Sequence, residues 1–166
     1  MRLITGPGGL ALAMLVASLV SAPHSRADSA NDSPNDSPNY ERCAPEGVAL
    51  GGYDVVSYFE AGGPIAGSSQ FTSTQHGLTY QFQSAATLAR FEADPSAFLP
   101  TYRGWCAATL AMGRLACPDF TNFKIEDGEL LLFEIAGFTN GREVWNSDPV
   151  AHRARADANA QRLLGR

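Results

Sequence analysis

Phe123-Lys124-Ile125-Glu126-Asp127-Gly128-Glu129-Leu130-Leu131-Leu132-Phe133 decides the fold class. Two runs of strand-forming residues flank Asp127-Gly128, a turn pair that takes up positive φ at low cost. The stretch predicts an antiparallel hairpin with strands over 123–126 and 129–133. Upstream, Gln70-Phe71-Thr72-Ser73-Thr74 and Leu78-Thr79-Tyr80-Gln81-Phe82 alternate apolar and polar side chains around Gln75-His76-Gly77. They predict a second hairpin. Val48-Ala49-Leu50 predicts a short strand ending at Gly51-Gly52. Asp54 is placed to cap one or two helical turns through Phe59. Ser84 is placed to cap a helix over 85–93, with Ala85, Leu88 and Phe91 at helical spacing. Asp94-Pro95 opens a further turn, and Trp105–Met112 is helix-compatible up to Gly113. Asp148-Pro149 opens a C-terminal helix rich in Ala and Arg that reaches about Leu163. No strand–helix–strand crossover is needed. The predicted class is a small single α+β domain with two antiparallel β-hairpins, several short helices and a C-terminal helix.

The rest of the chain divides around this domain. Arg2 precedes an apolar run, Leu10–Val20, too short for a membrane-spanning helix, which needs roughly 20 residues. The run reads as the core of a secretory signal over residues 1–27, with cleavage after Ala27 favoured over cleavage after Ala22. No stable membrane insertion is expected once it is removed. Residues 28–42 read as a disordered tether. Asn-Asp-Ser-Pro occurs twice there, at 31–34 and 35–38, and residues 28–39 carry too little apolar surface to offset ordering entropy. No other repeat is visible. The folded domain spans 43–166, with a periplasmic or secreted location expected.

Composition narrows the function. With 45% hydrophobic and 17% charged residues among 166, collagen-like, coiled-coil and wholly disordered classes are excluded. The net charge is −5 and no basic stripe appears, which argues against a nucleic-acid partner. No Gly-x-Ser-x-Gly elbow, Gly-rich phosphate loop, Cys-x-x-Cys or His-x-x-His is present. Asp54, Asp94, Asp119 and Asp127 each have a turn or capping explanation.

Three cysteines remain: Cys43, Cys106 and Cys117. In an oxidising compartment an odd count implies one pair and one leftover thiol, or a metal site. Cys43 and Cys117 sit in loops, whereas Cys106 sits among Tyr102, Trp105 and Ala107. A Cys43–Cys117 disulfide is therefore expected ahead of Cys43–Cys106, although spacing does not fix connectivity. Cys106 with Met112 would suit a soft ion such as copper(I) only if the chain bends, since they lie on different helix faces.

Six segments in order resemble the exported bacterial YHS domain-containing proteins. They are Gly52-Tyr53-Asp54-Val55-Val56-Ser57-Tyr58-Phe59, Gly77–Ser84, Phe91-Glu92-Ala93-Asp94-Pro95, Pro100-Thr101-Tyr102-Arg103-Gly104-Trp105-Cys106-Ala107, Ile125–Leu130 and Ala156-Asp157-Ala158-Asn159. The resemblance covers Val48 to Leu163. It implies a small exported domain related to the YHS and TRASH metal-binding modules, with Cys106 as the signature thiol. Those modules carry a cysteine at the first turn and in a Tyr-x-Phe-Cys-Ser stretch; here the first turn has none and Gln83 takes the second place. Cys43 and Cys117 stand as additions to the family pattern, which favours pairing them.

Three functions are expected in order. The first is a non-enzymatic domain binding a soft metal ion (copper or zinc) or a small ligand, with Tyr53, Asp54, Trp105 and Cys106 lining the site and Cys106 as metal ligand. The second is a thiol-based redox enzyme using Cys106. The third is a structural or interaction module without a ligand.

Overall fold

A computed structural model of the chain describes residues 43–165. The expected signal segment, 1–27, and the expected tether, 28–42, lie outside these residues. The expected α+β class holds: helices are interspersed with antiparallel strand pairs, and the chain ends in a long helix.

The deciding stretch forms a hairpin whose pairing is regular from Phe123 opposite Leu132 to Glu126 opposite Glu129. Numbered in chain order, the strands and helices are β1 Ser68–Gln75, β2 Leu78–Phe82, α1 Ala85–Ala93, α2 Ala107–Ala111, β3 Asp119–Glu126, β4 Glu129–Phe133, β5 Ile135–Ala136, β6 Thr139–Asn140, α3 Gly141–Ser147 and α4 Pro149–Leu164. Each of the three pairs β1–β2, β3–β4 and β5–β6 forms its own two-stranded antiparallel sheet. The first two hairpins start earlier than their sequence cores, because an irregularity in each lets the first strand run on past its regular pairing.

Capping chemistry sets the helices as expected. The Ser84 hydroxyl accepts the Thr87 N–H and Asp148 accepts the Ala151 N–H. Pro149 takes the first helical position of α4.

The structure corrects three local expectations. Val48–Leu50 is not a strand: Ala49–Gly52 forms a tight helical turn in which Leu50 and Gly51 take positive φ, and Leu50 is wholly buried. Trp105 and Cys106 are not helical. They are extended residues before α2, which covers only Ala107–Ala111, because Tyr102 and Arg103 both take positive φ and break any earlier start. The segment after Phe133, left without elements by the sequence, folds into β5, β6 and α3, whose first turn is capped by Asn140.

β4 lies between two apolar clusters. Leu130 and Leu132 pack with Leu50, Val55, Val56, Tyr58, Tyr80, Phe82 and Phe91. Leu131 and Phe133 face the other way, onto Tyr102, Trp105, Cys106, Leu110, Trp145 and Ala156. A strand buried on both faces needs an unbroken apolar run, and Leu130–Phe133 supplies it. Burial of each such leucine contributes about 1.5–3 kcal/mol.

α2 packs against α4, where Ala156 and Ala160 are buried one helical turn apart. Asn159 closes the contact by donating to the Leu110 carbonyl at 2.9 Å, which also accepts the Gly113 N–H at the end of α2. Asp157 accepts the Tyr102 hydroxyl at 2.8 Å. The Ala156–Asn159 segment thus fastens the last helix to the middle of the chain.

Cys43 and Cys117 form a disulfide with Cα atoms 5.2 Å apart. It pins the start of the domain to the loop before β3. Among the described residues, no helix is long and apolar enough to cross a membrane.

Candidate functional site

The loop that carries Cys117 also forms one wall of a surface cleft. The cleft has a volume of about 390 Å³ and is lined by Tyr53, Cys117, Pro118, Asp119, Phe120, Thr121, Glu134 and Ile135. Three parts of the chain meet there: the residue after the Leu50–Gly52 turn, the start of β3, and the passage from β4 into β5.

Phe120 is held from below. Its carbonyl accepts the Tyr58 hydroxyl at 2.8 Å. Its ring lies over Gly51, where an added Cβ would sit 2.9 Å from the ring while the backbone stays at φ +60°. The ring contact disfavours any side chain at that position, and the positive φ favours glycine. Asp119 accepts the Thr121 N–H at 2.8 Å and the Thr121 hydroxyl at 2.7 Å. These bonds favour the ionised form and hold the Asp119 carboxyl below its ordinary range. The cleft therefore carries a fixed negative charge at neutral pH, and Glu134 is a further acidic residue in its lining.

Of the four residues expected to line one site, only Tyr53 reaches this cleft. The other three are buried. The Asp54 carboxylate accepts N–H bonds from Val56 at 2.9 Å and from Gln83 at 3.0 Å, which makes it a local cap, as expected, and also a tie to the end of β2. Trp105 is 4% exposed and belongs to the apolar cluster around Trp145. Cys106 is the free cysteine, 0% exposed, and its sulfur accepts the Glu134 N–H at 3.2 Å. The structure thus does not join the four in one open site.

The residues present do not fit copper or zinc at Cys106. Among the described residues, no group of three or more His, Cys, Asp or Glu is placed to hold a metal ion. His76 sits at positive φ in the β1–β2 turn. His152 stacks on Trp145, and its Nδ1 lies 3.2 Å from the Trp145 carbonyl oxygen.

A second charged group gathers at the β3–β4 turn. Burial raises the Glu126 carboxyl, but hydrogen bonds from Lys124, Trp145 and Arg153 outweigh it, and the net shift is downward. Arg153 also pairs with Glu129 and lies over the Trp145 ring. Burial and the bond to Asp157 push the Tyr102 hydroxyl well above its ordinary value. These groups partner one another, and the cluster ties the β3–β4 turn to α4.

Phe120, Asp119 and Glu134 escaped sequence reasoning as site residues. Their meeting depends on β3 starting early and on the β5–β6 insertion. Asp119 reads in the sequence as a turn residue, and its bond from the Thr121 N–H, two residues on, agrees with that. No protein-family model matches the chain, and no curated protein or solved structure is significantly similar to it.

Proposed function

We propose that the chain is an exported, non-enzymatic domain of the YHS type that binds a small cationic ligand in the cleft at Tyr53, Asp119, Phe120 and Glu134. The cleft itself carries this reading. Its volume of about 390 Å³ lies in the range of small-molecule pockets. Two acidic and two aromatic residues in one lining suit an ammonium group, which gains from both negative charge and aromatic rings.

Export is supported by the Leu10–Val20 run with its upstream arginine and by the Cys43–Cys117 disulfide, which persists in a periplasm or outside the cell. The six ordered segments that resemble the YHS proteins support the family. Burial of Cys106 weighs against a soft-metal site and against a thiol-based redox enzyme, since an attacking thiolate needs access.

Calorimetric titration with choline and putrescine tests the reading. Binding weakened by Asp119→Asn and by Tyr53→Ala is expected. Absence of binding by either probe, or equal affinity in all three proteins, would refute it. A second reading, an interaction module without a small ligand, is favoured by Phe138, fully exposed in the turn between β5 and β6.

A further inference from the structure

We infer that the domain is an internal duplication, residues 48–98 and 100–152, in which Cys106 holds the place of Asp54 and its sulfur serves as a backbone clasp. The correspondence begins at two turns. Leu50, Gly51 and Gly52 have φ of 54°, 60° and 84°; Tyr102, Arg103 and Gly104 have 58°, 55° and 85°. In each case the next residue, Tyr53 or Trp105, returns to extended backbone and donates its N–H three residues back at 3.2 Å. Positive φ at bulky residues such as Leu50 and Tyr102 is costly, so its recurrence in matched runs marks one design used twice.

The match continues along the chain. The Asp54 N–H donates to the Ile65 carbonyl at 2.8 Å, and the Cys106 N–H to that of Ala116 at 3.0 Å. The Ser57 hydroxyl donates to the Asp54 carbonyl at 2.6 Å, and the Thr109 hydroxyl to that of Cys106 at 3.1 Å. The hairpins share one register. Ser68↔Phe82 and Gln75↔Leu78 correspond to Asp119↔Phe133 and Glu126↔Glu129, with the same irregularity after the first pair. Their turns, His76-Gly77 and Asp127-Gly128, have φ of 51° and 76° against 54° and 81°. Phe82 meets Phe91 at 5.0 Å between centroids, and Phe133 meets Trp145 at 5.9 Å. Asp94-Pro95 and Asp148-Pro149 each end one helix and cap the next, the aspartates accepting N–H bonds from Ala97 and Ala151.

Few side chains are shared: Gly52 with Gly104, Gly77 with Gly128, Phe82 with Phe133, the two Asp-Pro pairs, and Ala97 with Ala151. These fix turns, caps and one core ring, while other core positions exchange apolar residues. That is why no repeat is visible in the sequence beyond the Asn-Asp-Ser-Pro pair.

The clasp follows from the match. Asp54 binds the amide after β2, that of Gln83, and Cys106 binds the amide after β4, that of Glu134. Asp54 also binds the Val56 amide at the start of its helical turn, whereas α2 has no side-chain cap bond. Cys106 therefore keeps one of the two bonds that a carboxylate makes.

Amide exchange read by NMR on the full chain tests this. Slow exchange at both Gln83 and Glu134 is expected in the unmodified protein. Cys106→Ala is expected to speed Glu134 several-fold and leave Gln83 unchanged. Cys106→Asp is expected to keep Glu134 slow and to add protection at Ala108, the counterpart of Val56. Fast exchange of Glu134 in the unmodified protein would overturn the inference whether or not either variant folds. Equal speeding of Glu134 by Cys106→Ala and Cys106→Asp would overturn it as well.

Discussion

Glu134 donates its backbone N–H to the Cys106 sulfur at 3.2 Å, while Glu134 itself lines the cleft. The thiol is thus tied to a residue of the cleft wall, yet it is sealed from solvent. Thiol titration should find no reactive cysteine in the native protein, one after unfolding without reductant, and all three after unfolding with reductant. Rapid native reaction would contradict the burial of Cys106.

The disulfide closes a loop with a sequence separation of 74. Cys43→Ser with Cys117→Ser should lower stability by about 4 kcal/mol in the chain-entropy account. Denaturant unfolding measures it. An unchanged midpoint would show that the pair adds no constraint.

The lowered Glu126 carboxyl makes stability depend on pH in a defined direction. The unfolded chain takes up the proton first, near the ordinary value of 4.5, so this contribution is present above that pH and is lost as pH falls through the lower folded value. Glu126→Gln should flatten the acid limb of the stability profile. The raised Tyr102 hydroxyl acts oppositely: its contribution is present below the ordinary value of 10.0 and is lost as pH rises beyond it. Tyr102→Phe should flatten the alkaline limb. Profiles from pH-dependent melting check both signs.

Much of this architecture was legible because local chemistry decides it. Asp127-Gly128, Ser84 and the Asp-Pro pairs each act through their own backbone and fix hairpin tips and helix starts. What stayed hidden depends on contacts far along the chain. Trp105 and Cys106 read as helix, yet the left-handed Tyr102-Arg103 pair, held by packing and by the Asp157 bond, delays the helix to Ala107. The α3 start depends on Asn140, whose side chain accepts from Arg142 N–H and from the Asn122 amide across the fold. The cleft was illegible for the same reason: Tyr53 and Phe120 come together only because Gly51 leaves room for the ring. The Cys43–Cys117 expectation was met: loop placement favoured it, as did the standing of both cysteines as additions to the pattern that the chain resembles.

Gly51→Ala should damage both backbone and cleft, since the new methyl group meets Phe120 at a positive-φ position. A loss of about 1 kcal/mol or more in stability is expected, together with weaker probe binding. Gly128→Ala, also at positive φ but with open space around it, should cost stability without touching probe affinity.

Chemical-shift mapping during titration with choline tests the location of function most directly. Shifts centred on Tyr53, Asp119–Thr121, Glu134 and Ile135, saturating with added probe, are the predicted result. Shifts centred instead on Trp105, Cys106 and α2, or no saturable shifts with either choline or putrescine, would contradict it.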